Sequence, residues 1–534
     1  MAPGLCQEDP GPFPGCVAGP GTHPGGASWT VMSQNSPDGS RAHTAAATPQ
    51  PALDPHNPAG RKTFFGQPGM LANLFSVEMW ERFSFYGMQA LVLYYMYYAV
   101  SDGGLGIDQG VAAGIVGAYG GTVYLCSILG GWIADRLLGS ERTMLASAVL
   151  IMAGHIALAL IPSVLGLTIG LLCIAVGSGG LKTTCVNLVG TLYERDDPRR
   201  DAGFSIYYMG VNIGGLFGPL LTGFAWAKWG FHMGFGLAAI FMAFGLVQYT
   251  LTRKGLPATV HTVANPLPRS QYGKWIGIVL AAVVLVVVLL LTGVLNPGNL
   301  SNAVILVVVV SAVALFVTML RDKELSPDEH SRVIAFIPLF IATAAFFSLF
   351  QQQFTVLAIY ADTRLNLTLW GFDFKPSLTQ SINPVFIVLL GMVFAAAWTK
   401  LGTRQPSTPV KFGVALLLIG VAFLTFVTQA HTPSVFIGWI VLVLFFATLG
   451  ELFLSPVGLS LATKLAPRKF PVQMIALYNL SVALGTALSG SLAEFYSADN
   501  EVGYFGTMGA ITIVLGVVML LASKPILKLM RGIR

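Results

Sequence analysis

The sequence predicts an all-α membrane protein that crosses the bilayer fourteen times. Three observations predict it. Of 534 residues, 54% are hydrophobic and only 10% charged, where a soluble domain carries about 25% charged residues. Apolar runs of about 20 residues, long enough to cover a hydrocarbon core, recur along the chain. The basic residues alternate between the loops on its two sides: with the N-terminus inside, 25 of the 30 Lys and Arg lie inside and three outside (Lys228, Arg364, Lys375). That bias follows the positive-inside rule, and a missed or invented span would scramble the alternation beyond it. An outer-membrane barrel would show short alternating segments instead. The net charge of +6 therefore reflects cytoplasmic loops and implies no nucleic acid.

The elements follow in order. Residues 1–66 are rich in Pro, Gly, Ala and Ser and lack a basic stretch followed by an apolar one. They predict a disordered tail, not a secretory signal, with Met32 as an alternative start. Spans are expected at 71–100, 109–134, 143–162, 164–193, 202–228 and 231–253. Spans 274–294 and 300–320 are nearly pure Val, Leu, Ile and Ala, and are expected to be accessory and to face lipid. The remainder lie at 333–360, 380–401, 408–429, 434–464, 472–497 and 503–530. The predicted plan is a six-helix bundle over 67–254, a linker with two accessory helices over 255–332, and a second bundle over 333–534. Both termini are expected in the cytoplasm. The five cysteines are odd in number and lack ligand spacing, so neither a disulfide framework nor a metal site is expected.

Ionisable residues inside spans carry the functional signal, because each costs about 2.5–3.5 kcal/mol near the membrane centre unless partnered. Glu78, Glu81 and Arg82 occur in VEMWERFSFYG, residues 77–87. At about 100° per residue they share one helix face with Phe85 and Gln89, bordered by Tyr86. Two acids compete there for one base, so one of them can take up a proton. Lys182 lies in GSGGLKTTCVN and Glu451 in GELFLSPVGLS, where Pro456 should bend the helix. They carry opposite charge in opposite halves. His155, a lone span histidine, reads as packed. With no ATP-binding loop, catalytic constellation or metal cluster, the chain is not expected to be an enzyme or to need a cofactor. An ion gradient must drive it.

The loop GGWIADRLLGSER, residues 130–142, resembles the signature loop of the major facilitator superfamily, and WTKLGTR at 398–404 is its weaker echo. VEMWERFSFYG resembles the ExxERFxYY motif of the proton-dependent oligopeptide transporters within that superfamily. GLK at 180–182, FSIYYMGVNIGGLFGP at 204–219, SINPVFI at 381–387 and the Glu451 segment are similar to further segments of that family, in order. The resemblance implies the major facilitator fold, two six-helix bundles plus a two-helix insertion of bacterial type. It implies a proton-coupled symporter that imports di- and tripeptides by alternating access across the bacterial inner membrane, acting as a monomer. A carrier of nitrate or of peptide-like drugs on the same fold is the alternative. The implied roles are proton coupling for Glu78, Glu81 and Arg82, and peptide binding for Tyr86, Tyr124, Lys182, Asn212, Asn383, Glu451 and Tyr478. Lys182 should also pair with Glu451 between the halves.

The chain departs from the family pattern at several places. Phe85 stands for a usual tyrosine, Phe347 and Tyr478 for tryptophans, Gln89 for an arginine and Gln351 for a glutamate. The last two are neutral together, and losing one alone would strand a charge. The outer gate is therefore expected to close through amide hydrogen bonds such as Gln89 to Gln351.

Overall fold

The computed structural model describes residues 63–533 apart from 195, 196, 198, 257, 264 and 370. The predicted tail up to residue 62, with Met32, Cys6 and Cys16, lies outside them. Among the described residues fourteen helices are 20 residues or longer, one for each expected span. Six come first: α1 (Met70–Tyr97), α2 (Gln109–Ile133), α3 (Ser140–Leu160), α4 (Val164–Gly190), α5 (Arg200–Trp229) and α6 (Phe231–Thr252). Then come α7 (Tyr272–Leu291), α8 (Leu300–Arg321), α9 (Pro327–Phe350) and the short α10 (Val356–Arg364). The rest are α11 (Ile382–Leu401), α12 (Thr408–Val427), α13 (Gly438–Leu465), α14 (Pro471–Ala493), α15 (Glu501–Leu521) and the short α16 (Ser523–Leu529).

Among the described residues thirteen segments are long and apolar enough to cross a membrane. α1 is not among them, although it has 28 residues, because Glu78, Glu81 and Arg82 fall in its first half. Local chemistry sets several boundaries. Asp108 caps α2 by accepting from the Val111 amide at 3.1 Å, and Ser163 does the same for α4. Ser326 and Glu329 form a reciprocal capping box at the start of α9, with Pro327 in the first turn.

Small residues bring the helices together. α5 packs along α1 with Gly214 and Gly218 against the α1 backbone, and Thr222 Oγ1 donates to the Gly87 carbonyl at 3.0 Å. α2 meets α4 at Gly130 and Gly180. α1 also packs on α6, and α3 on α4 and α6; later in the chain α12 packs on α15, α13 and α9, and α14 on α9.

Two features correct the expectations. The predicted span 333–360 is broken: after α9 the chain makes a 3-10 turn at Gln351–Phe354 and restarts as α10. Such a break is tolerated at membrane depth where the freed backbone is enclosed by protein or lines a cavity. The two accessory helices also differ. α7 has no buried residue, as expected for lipid exposure. α8 instead lies along the seam between α2 and α14 and buries Ser301, Val308, Ala312 and Met319. Ser301 Oγ donates to the Gly114 carbonyl of α2 at 2.6 Å, and Ser491 Oγ of α14 donates to Asn302 at 2.8 Å. Ser301, Asn302, Ser311 and Thr318 interrupt the aliphatic run of α8, and α7 has no Ser, Thr or Asn before Thr292.

The groups α1–α6 and α9–α15 meet mainly at one end, the end predicted to face outside. There a Cβ placed on Gly117 of α2 would lie 2.5 Å from Gly490 Cα of α14. Ser381 Oγ donates to the Leu216 carbonyl of α5 at 2.9 Å. Farther along, Tyr208 and Asn212 of α5 and Asn383 and Ile387 of α11 line a cavity between the two groups.

Candidate functional site

A cavity of about 1010 Å³ of empty space, part of it continuous with solvent, lies between the two groups of helices. Its wall includes Arg82, Tyr86 and Gln89 of α1, Tyr124 of α2, Lys182 of α4 and Asn212 of α5. From the other group come Gln351, Asn383 of α11 and Glu451 of α13. Nine of the twelve predicted site residues thus reach one chamber.

The other three, Glu78, Glu81 and Tyr478, are not in its wall. Glu78 and Glu81 sit behind Arg82. Arg82 Nε lies 2.8 Å from Glu78 Oε1 and 3.1 Å from Glu81 Oε2, and the residues are nearly sealed from solvent. The Nε–H is directed at Glu78. Glu81 accepts instead from Ser178 Oγ of α4 at 2.9 Å, and its Oε2 has no hydrogen bond. Each acid thus has one oxygen hydrogen-bonded and one without a hydrogen bond, Glu78 Oε2 and Glu81 Oε2. Ser178 and Lys182 are i,i+4 on α4, which places the charge of Glu81 one turn from the cavity's lysine.

Tyr478 packs on Gly458 of α13, and its hydroxyl donates to the Ser455 carbonyl at 3.3 Å. Tyr478 is not part of the chamber wall.

Lys182 and Glu451 face the chamber without meeting. Among the described residues Lys182 forms no salt bridge; its Nζ lies 4.2 Å from the Tyr124 ring centroid. Glu451 Oε2 accepts from Asn383 Nδ2 at 3.3 Å, and Asn383 also donates to Thr448 Oγ1 at 2.9 Å. The expected pair is open here because the two residues stand on opposite walls. Asn212 donates to the Tyr208 carbonyl of its own helix. No hydrogen bond joins Gln89 to Gln351 among the described residues, although both line the chamber.

Gln353, Phe354 and Gln380 are among the lining residues that the sequence did not single out. Gln380 is 5% exposed, with neither end of its amide partnered. Gln353 follows from the helix break. Phe354 stacks with Tyr86 at 6.5 Å. Gln380 directly precedes SINPVFI, and its polarity beside an apolar run was the available signal.

The chamber therefore holds a cation and an anion with no mutual partner, on opposite walls. A zwitterion with its charges several bonds apart complements them both.

Comparison with known proteins bears on what that zwitterion is. The sequence matches the profile of the POT family over residues 141–514. It is 43% identical over 478 residues to an uncharacterized transporter, YclF, of Bacillus subtilis, covering 89% of this chain and 97% of that one. It is 40% identical over 494 residues to a di-/tripeptide transporter of Lactococcus lactis subsp. cremoris, covering 89% and 98%. Among solved structures, a peptide transporter POT in complex with sulfate superposes with a TM-score of 0.85 at 43% identity, covering 88% of this chain and 98% of that one. A POT family transporter in complex with 5-aminolevulinic acid gives 0.83 at 40%, covering 87% and 98%.

Proposed function

The chain belongs to the POT family, a family of multi-pass membrane transporters and not of enzymes, and from that premise we propose how it carries di- and tripeptides with protons. The observation that carries the reading is the unpaired Lys182 facing the unpaired Glu451. A peptide's carboxylate docks at Lys182 and its ammonium at Glu451, with Asn383 holding the carboxylate of Glu451 in place. Asn212, Tyr86 and Tyr124 flank the peptide backbone. The named relative of Lactococcus lactis supports this substrate class.

The charges supply the coupling. Glu78, Glu81 and Glu451 face Arg82 and Lys182, three carboxylates against two bases. One negative charge is in excess in a low-dielectric site, and one proton neutralises it. Glu81 takes that proton. The triad lies wholly within α1, so the proton does not act by breaking a bridge between bundles. It acts through Ser178 and Lys182, making the lysine's positive charge more available to the peptide carboxylate. Peptide bound to both walls then draws the bundles 67–254 and 333–534 together, and they rock about the chamber. The bias of basic residues supports a cell membrane location with both termini cytoplasmic, and the carrier works as a monomer.

The test is uptake of labelled dialanine into proteoliposomes under an inward proton gradient. Saturable uptake that collapses with a protonophore and is competed by trialanine is expected. Uptake competed by nitrate but not by trialanine overturns the substrate assignment, and unsaturable flux overturns the carrier.

A further inference from the structure

We propose that Asp362 is a latch that holds the outer end shut, gripped by Tyr97 and Tyr98 from the opposite bundle. It rests on the carrier reading above. Asp362 lies near the C-terminus of α10, and the two tyrosines end α1. Tyr97 Oη donates to Asp362 Oδ2 at 2.5 Å and Tyr98 Oη to Oδ1 at 2.7 Å. Each carboxylate oxygen thus takes one phenol. One turn deeper, Tyr94 Oη donates to the Ala358 carbonyl of α10 at 3.2 Å.

Among the described residues no salt bridge joins α1–α6 to α9–α15. Gln89 and Gln351 are neutral and do not bond. The other contacts at this end include glycine packing, hydroxyl-to-carbonyl bonds and the Lys375 ammonium over the Trp226 ring of α5 at 4.8 Å. Asp362 brings an acidic side chain to that junction, and hydrogen bonds to a carboxylate are about twice as strong as neutral ones. The acceptor stands on α10, a separate helix beyond the turn at Gln351–Phe354. On the donor side, Tyr94 stacks on Trp226 at 5.3 Å, and Tyr98 packs edge-on to Phe231 at 5.7 Å. Opening the chamber outward requires α10 to leave α1, and both phenol bonds must break for that to happen.

The test reads the opening directly, by pulsed electron–electron resonance between spin labels at Val100 and Phe436, which are 74% and 71% exposed at this end. The five native cysteines are first replaced. Without peptide, the parent should give mostly the short distance. Tyr97→Phe and Tyr98→Phe keep the rings, and each should raise the ratio of long to short distances about tenfold. Asp362→Asn should do at least as much, and Asp362→Glu should return part of the short population. Distance distributions that overlay the parent in both phenylalanine variants overturn the latch, even if the asparagine variant fails to fold. Dialanine uptake measured on the same samples separates the two readings: an unmoved distance with intact uptake removes the latch alone, and absent uptake in the parent removes the carrier reading.

Discussion

Arg82 and Lys182 are both bases at one chamber wall, and the fold treats them in opposite ways. Arg82 has two carboxylates of its own helix at 2.8 and 3.1 Å. Lys182 has the face of a tyrosine. The acids show the same contrast: Glu78 is held by a guanidinium, and Glu451 by a single asparagine amide. A charge compensated within its own helix keeps its partner whichever way the bundles face. A charge left with weak partners waits for a ligand. The first kind suits proton storage and the second suits recognition.

Three measurements sharpen or break this contrast. The largest effect is expected from Lys182→Ala, which removes the anchor proposed for the peptide carboxylate. A charged hydrogen bond of about 3 kcal/mol corresponds to a loss of more than a hundredfold in kcat/KM for dialanine. A blocked dipeptide amide, which has no carboxylate, should be transported no worse by the variant than by the parent. An equal loss for both substrates would mean that Lys182 supports the helix and does not bind the ligand.

The next effect separates the two triad acids. Glu81→Gln should abolish acid-driven accumulation while leaving exchange of dialanine across the membrane, because the proton site is gone but the binding walls remain. Glu78→Gln removes the acid to which the Nε–H points, so it should lower thermal stability as well. The reverse pattern would assign the proton to Glu78.

The smallest effect comes from an ion pair outside the membrane. Lys469 Nζ lies 2.7 Å from Asp322 Oδ2 and 2.7 Å from Glu324. Its hydrogen bond, before any other cause, holds the Asp322 carboxyl below its ordinary range. A depressed carboxylate stabilises the fold above its unfolded-state pKa and loses that contribution as pH falls through the folded-state value. Asp322→Asn should therefore cost a little melting temperature near neutral pH and nothing in strong acid. The exposed lysine keeps even the neutral-pH change small. A drop as large as that of Glu78→Gln would erase the distinction drawn between buried and exposed pairs.

Much of this was legible in the sequence, for physical reasons. Lipid forces continuous apolar runs, so the fourteen long helices could be read from hydropathy and loop charge. The spacing of Glu78, Glu81 and Arg82 placed them on one turn, and the helix supplied the contact without tertiary help. Other features depended on where helices meet. Lys182 and Glu451 differ in sign and invited pairing, but a chamber separates them. Tyr478 stands at a position the family resemblance assigned to the pocket, yet its hydroxyl is turned to the Ser455 carbonyl of α13. α8 looked nearly as aliphatic as α7, and Ser301 and Asn302 were the hint that one face meets protein. Asp362 lies more than 260 positions from Tyr97 and Tyr98 in the chain, and no local pattern joins them.

The touching glycines at 117 and 490 have a bearing on leakage. Where two backbones meet with no room for even one added carbon, a file of water molecules cannot thread between them. Protons hop along water wires, so this seam insulates the membrane potential while the chamber is emptied on the other side. An alanine at either position would wedge the seam apart, and its harm would show first as dissipation of the gradient in the absence of any cargo.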